Sequence, residues 1–121
     1  MSPTVKRKLG NIGEDLTEKY IVEKKYNILA KNYTKKCGEI DIIAQKGDII
    51  AFIEVKTRKK NALVSPLESV TPSKQEKIIK TAEAFLFENE EYSRLQPRFD
   101  VSAVTDDRGI FTIEYFENAF Y

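Results

Sequence analysis

Histidine is absent from the 121 residues, and its absence removes Ser-His-Asp and Cys-His nucleophile systems, His-ligated zinc hydrolysis and histidine acid-base pairs together. Catalysis by this chain has to run on carboxylates, lysines, tyrosines or a metal. Cysteine is nearly absent too: Cys37 stands alone. Neither an intramolecular disulfide nor a multi-cysteine zinc site can form, and beside Gly38 the thiol reads as a small structural residue. No apolar run follows the basic Lys6-Arg7-Lys8, so neither a secretory signal nor a membrane-spanning helix is expected, and the protein is expected in the cytoplasm. Internal repeats and low-complexity tracts are missing as well.

What is present bounds the fold. A chain of 121 residues that is 41% hydrophobic is long enough to bury a real core and short enough for one domain, residues 1–121. Net charge is +1, but residues 1–62 hold 14 Lys+Arg against 8 Asp+Glu and residues 63–121 hold 6 against 11. The halves therefore carry +6 and −5, an asymmetry compatible with a basic, phosphate-facing side and also with an ordinary mixed surface.

The order of elements follows from periodicity. A flexible basic arm, residues 1–9, precedes a first helix over 10–25 with Ile12, Leu16 and Tyr20 at four-residue spacing. Strands are expected over 27–33, 38–46 and 49–57, making a meander. Residues 59–70, with Pro66 and no clear period, read as a mobile loop. A second helix opens at Thr71-Pro72, a cap followed by proline at the first helical position, and buries Ile78, Ile79, Ala82, Phe85 and Leu86. A fourth strand, Phe99 to Val104, and a fifth, Ile110 to Phe116, complete a mixed α/β sheet. The step from third to fourth strand through the helix makes those two parallel.

The hairpin carries the chemistry. Gly47-Asp48 fits a two-residue turn with glycine first, which pairs Lys46 with Ile49 and, in the same register, Asp41 with Glu54 and Glu39 with Lys56. Strict alternation would set all four side chains on one face. Two carboxylates opposed at about 5 Å between Cβ atoms repel each other, so a positive charge is expected between them. Lys56 alone, in a salt-bridged edge, is one answer. Hard oxygen donors converging beside apolar neighbours also suit Mg²⁺ or Mn²⁺.

Asp41, then Glu54-Val55-Lys56 after twelve intervening residues, resembles the Asp…Glu-x-Lys core of the restriction-endonuclease-like nuclease superfamily, whose core is αβββαβ. More closely, Gly10-Asn11-Ile12-Gly13-Glu14, Asn32-Tyr33, Gly38-Glu39-Ile40-Asp41-Ile42-Ile43-Ala44, Phe52-Ile53-Glu54-Val55-Lys56-Thr57-Arg58, Lys74-Gln75, Arg98-Phe99-Asp100-Val101 and Asn118-Ala119-Phe120 are similar to the YraN family, which is described as related to Holliday-junction resolvases. Ile40 stands where the superfamily often has proline, and Thr17 where the family often has alanine. The resemblance implies that Asp41 and Glu54 bind the metal with the backbone carbonyl of Val55. It implies that Lys56 orients the attacking water and stabilises developing charge, and that Glu14 on the first helix completes the metal shell. Glu14 also reads as an ordinary acid favoured near a helix start, and Glu39 ranks below the other acids.

Arg58, Lys59 and Lys60 beyond the metal strand, and Lys74 with Gln75 at the second helix's start, are candidate phosphate contacts, although such runs are also ordinary solvated surface. Asp100 reads as a structural hydrogen-bonding acid at the opposite sheet end from Lys56. The expected activity is metal-dependent hydrolysis of DNA phosphodiester bonds, at branched or structured sites, by a two-fold dimer that cuts two strands. Base readout is not expected, because no recognition helix or zinc module is present. The alternatives are a non-catalytic nucleic-acid-binding accessory module of a repair or processing complex, and a metal-stabilised structural protein.

Overall fold

The computed structural model describes residues 5–121, with side chains from Asn11 onward. The elements run α1 (Val5–Glu23), β1 (Asn27–Lys35), β2 (Gly38–Lys46), β3 (Ile49–Lys59), α2 (Pro72–Glu88), a 3-10 turn (Glu90–Tyr92), β4 (Gln96–Asp107) and β5 (Ile110–Phe116). The αβββαβ order with one extra C-terminal strand is as expected. α1 starts earlier than predicted, at Val5, so residues 5–9 are helical backbone rather than a flexible arm; residues 1–4 of that arm lie outside the described residues.

All five strands form one sheet in the order β1-β2-β3-β4-β5. Only β3 and β4 are parallel, because α2 carries the chain from the end of one back to the start of the other. Gly47 has φ 59° in the β2–β3 turn, a conformation glycine adopts without steric cost, and Lys46 pairs with Ile49 as the turn type requires. Thr71 caps α2 by accepting the Lys74 N–H at 3.3 Å, with Pro72 as the first helical residue.

The sheet is covered on both faces. On one, α2 seals Ile40, Ile43, Ile50, Phe52, Phe99 and Val101 with Ile78, Ala82 and Phe85. On the other, Ile21 of α1 closes over Ile42, Ala44, Ala51 and Ile53. The buried line of α1 is Gly13, Thr17 and Ile21, while Ile12 of the predicted stripe is exposed. Small residues won because the helix backbone lies almost on the sheet: a Cβ on Gly13 would sit 2.2 Å from Thr57 Oγ1. Thr17 Oγ1, fully buried, donates to the Gly13 carbonyl at 2.8 Å and, its one hydrogen so used, accepts from Ser102 Oγ at 2.7 Å. Residues 60–71 are irregular, as expected of a loop, but the loop's end is anchored by buried Val70.

Asp100 has the structural role expected of it. Its carboxylate, with 0% side-chain exposure, accepts from Arg98 Nε at 2.9 Å, Arg98 Nη2 at 2.8 Å, Tyr115 Oη at 2.6 Å and the Asn118 N–H at 2.9 Å. Burial and then the neighbouring Asp100 charge push the Tyr115 hydroxyl well above its usual range. The acid is not at the far end of the sheet, however. It pairs with Ile53, next to Glu54, and is kept apart from Glu54 by facing α1 rather than α2.

Asp100→Ala strands the Arg98 charge and should cost about 3–5 kcal/mol in urea unfolding, whereas removing the exposed Lys31–Glu18 pair should leave the urea midpoint unchanged. Gly13→Ala must push α1 off β3 and should cost about 1–3 kcal/mol, read in the same titration.

Candidate active site at a fork between two strands

The ladder between β2 and β3 runs in the predicted register from Lys46–Ile49 to Ile42–Ile53 and stops there. The next pair would be Asp41 with Glu54. In its place, Asp41 Oδ2 accepts the backbone N–H of Val55 at 2.7 Å, so a carboxylate takes over one backbone partner and the strands part. β2 stays with β1 and β3 with β4.

A second irregularity aims Asp41 into the gap. Lys31 bonds Glu18 of α1, whereas Tyr33, two residues on, packs edge-on against Phe85 of α2. Residues two apart on a strand normally share a face. Asn32 between them has φ 52°, and this left-handed residue is where β1 reverses its faces. β2 reverses in step: Ile42 lies in the α1-side core and Ile40 in the α2-side core. The pairs Lys31–Ile42 and Tyr33–Ile40 set Asn32 opposite Asp41, so two kinks face each other across the ladder.

At the mouth of the fork, Lys56 Nζ lies 3.2 Å from Glu54 Oε2, with both side chains 15% exposed. Asp41 lies within electrostatic reach of Glu54. Burial first, and then the Glu54 charge, push the Asp41 carboxyl from 3.8 up to about 9. Glu14 of α1 is half-buried and also raised, chiefly by burial, with a hydrogen bond from Asn32 opposing the shift and the Glu39 charge adding to it. The Glu14 charge reaches Asp41 as well. Asn32 is thus a residue of the site to which sequence reasoning gave no role, although an asparagine where a strand must kink, opposite an acid, was a signal for it.

Glu39 stands elsewhere than strict alternation predicts. It is exposed and accepts from Thr34 Oγ1 at 3.1 Å, and it does not face Lys56, because the β2–β3 ladder has ended before it. Strict alternation, which put all four side chains on one face, fails at Asp41.

A model of the family described as "Uncharacterised protein family UPF0102" matches residues 13–104. A UPF0102 protein of Flavobacterium psychrophilum is 42% identical over 93% of this chain and 93% of its own length. One from Chlorobium limicola is 45% identical over 93% and 92%, and one from Clostridium tetani 46% over 78% and 77%. The chain belongs to the UPF0102 family. This is the family that the sequence motifs indicated as YraN, and the matched span holds every residue of the fork.

The candidate phosphate contacts of this UPF0102 chain are divided by their surroundings. Arg58 Nη1 donates to the Thr57 carbonyl at 3.0 Å. Lys59 and Lys60 line an open cleft of about 310 Å³ with Asn61, Asp106, Asp107 and Arg108, and Lys60 is held by Asp107 at 3.3 Å. Acids in that cleft offset its positive charge. Lys74 is exposed at the start of α2, but the Gln75 amide donates to the Val70 carbonyl at 2.9 Å and so ties down the loop's end. No helix of the described residues is long and apolar enough to cross a membrane.

Among the described residues, no three Asp, Glu or Cys side chains gather into a metal cage. The donor set nevertheless fits a hard divalent ion of the Mg²⁺ kind, which characteristically binds through one or two carboxylates and keeps several waters. Asp41 and Glu54 form such a pair, with Lys56 beside Glu54, and burial first and then the Glu54 charge work against a second negative charge on Asp41. Val55 touches Asp41 through its N–H, a different group from the carbonyl expected as a ligand.

Because the folded-state value of Asp41 lies above its ordinary one, the stability it lends is full below pH 3.8 and is lost as pH rises through about 9. Asp41→Asn keeps an acceptor for Val55 and gains a donor for Glu54. In chelator at pH 8 it should be more stable than the wild type by about 1 kcal/mol or more, and the difference should vanish below pH 4, checked by thermal melts across pH. Mg²⁺ should raise the wild-type Tm and leave that of Asp41→Asn nearly unmoved.

Proposed function

We propose that this UPF0102 chain is a metal-dependent endodeoxyribonuclease that hydrolyses phosphodiester bonds in branched or otherwise structured DNA, acting in the cytoplasm. The observation that carries the reading is the pair Asp41 and Glu54 in the strand fork with Lys56 beside them. A protein that only bound nucleic acid would gain nothing from half-buried acids that repel phosphate, and a purely structural acid would be neutralised as Asp100 is.

Asp41 and Glu54 would hold Mg²⁺ or Mn²⁺, with the Val55 carbonyl and Glu14 as further donors. When bound, such an ion supplies Lewis-acid polarisation of the phosphoryl oxygen and a more acidic water. Lys56 supplies what the acids cannot: a fixed positive charge for the oxygens that become more negative as water attacks, and a donor that orients that water. Glu54 in turn holds Lys56 in place at 3.2 Å. Arg58 and Lys59 at the end of β3, with Lys74 at the start of α2, would meet phosphates on either side of the scissile bond. Contacts of that kind position a backbone without reading bases, which leaves selectivity to the shape of the DNA.

The test is incubation of the full chain with labelled four-way junction, flap, duplex and single-stranded DNA in Mg²⁺, Mn²⁺ or chelator. Cleavage should require metal and should fall about 100-fold or more in Glu54→Ala and Lys56→Ala, with the preferred substrate defining the shape read. Binding without cleavage under every condition would replace this reading with that of an accessory module.

A further inference from the structure

The two edges of the sheet are built differently. The β1 edge is broken by a register shift between Ile28 and Ala30 and by the left-handed Asn32, and it carries Lys31 and Lys35. Bulges, kinks and lysines are the usual guards against edge-to-edge pairing. β5 has none of them. It pairs with β4 without a shift from Val101–Phe116 to Asp107–Ile110, contains no proline or lysine, and bears one charge, Glu114. Among the described residues no element lies beyond its outer edge. Ile110 is 70% exposed there.

The sequence of β5 is also complementary to itself. Reversed and laid antiparallel about Ile113, the strand sets Ile110 against Phe116, Phe111 against Tyr115, Thr112 against Glu114 and Ile113 against itself. Aromatic meets aromatic, aliphatic meets apolar, and the single charge meets a hydroxyl, the kinds of cross-strand pair that stabilise sheets. Centring the pairing on Glu114 would oppose two carboxylates, and centring it on Thr112 would set Glu114 against Ile110. Tyr115 already stacks on Tyr20 at 5.4 Å, so a Phe111 arriving beside it would extend an aromatic row under α1.

We propose that the outer edge of β5 is the docking surface for a second copy of this chain, which joins by antiparallel β5–β5 pairing about a two-fold axis at Ile113. An isologous contact of this kind closes on itself as a dimer and leaves the guarded β1 edges outermost. Two five-stranded sheets become one of ten, and the axis stands perpendicular to it, so both α2 faces look the same way. If the nuclease reading holds, a consequence rests on it: five strand spacings separate the two β3 strands, about 24 Å, and Glu54, level with Phe116 through Val101, stands three residues from the axis on each side, which sets the two Glu54 positions about 30 Å apart on one face, where one dimer can address two DNA strands.

The experiment is sedimentation equilibrium of the full chain from low to high micromolar concentration, without DNA or metal. A monomer–dimer equilibrium is expected. Thr112→Glu, at an exposed position, places a carboxylate opposite the partner's Glu114 twice per dimer and should weaken association about 10-fold or more, with an unchanged circular-dichroism spectrum. Adding Glu114→Lys to that variant should restore it, because opposite charges then face each other. A chain that stays monomeric throughout, or a dimer indifferent to Thr112→Glu, overturns the proposal. Since no DNA is present, that failure leaves the nuclease reading standing, and failure to cleave DNA leaves the dimer standing.

Discussion

Everything distinctive about this molecule depends on one exchanged hydrogen bond. Where β2 and β3 would continue their ladder, the Asp41 carboxylate accepts the Val55 N–H and the strands separate. Buried backbone groups must find partners, so a sheet cannot simply stop pairing between two central strands. It can do so here because a side chain substitutes for a carbonyl on one side, while β4 continues to pair with β3 along its whole length. The gap that results holds Asp41, Glu54 and Lys56 close to the core yet open enough for solvent to reach them.

The kinks at Asn32 and Asp41 make the gap usable. Both strands reverse their faces at the same level, so the sheet remains paired on either side and the disturbance stays local. Gly13 and Thr17 matter for the same reason. Gly13, with no side chain, lets α1 lie close against Val55 and Thr57, and Thr17 bonds Ser102 of β4; the helix so placed holds Glu14 within electrostatic reach of Asp41. A larger residue at either position would lift the helix and take the third acid with it.

Two acids one register step apart illustrate how surroundings assign roles. Asp100, opposite Ile53, is surrounded by Arg98, Tyr115 and the Asn118 N–H and is fully compensated inside the protein. Glu54, the next residue along β3, has Lys56 and a second carboxylate. The first environment locks two elements together. The second sets two carboxyl groups beside one lysine at the end of a buried strand, a donor set that fits a cation.

Much of this was legible in the sequence. The turn residues Gly47-Asp48 and Thr71-Pro72 determined a hairpin register and a helix start, because their chemistry is local. The apolar run of β3 ending in Glu54 and Lys56 determined which strand would carry the candidate site. Only the tertiary structure decided that Glu39 would not face Lys56, that Asn32 would enter the cluster, and that Gly13, Thr17 and Ile21 rather than Ile12 would line the buried side of α1. It also decided that Lys60 and Gln75 would be engaged within the protein. The physical reason is common to all of them: alternation and helical period describe undistorted elements, whereas a strand fork, a paired kink and a backbone-close helix arise from packing between elements, and no single segment encodes them.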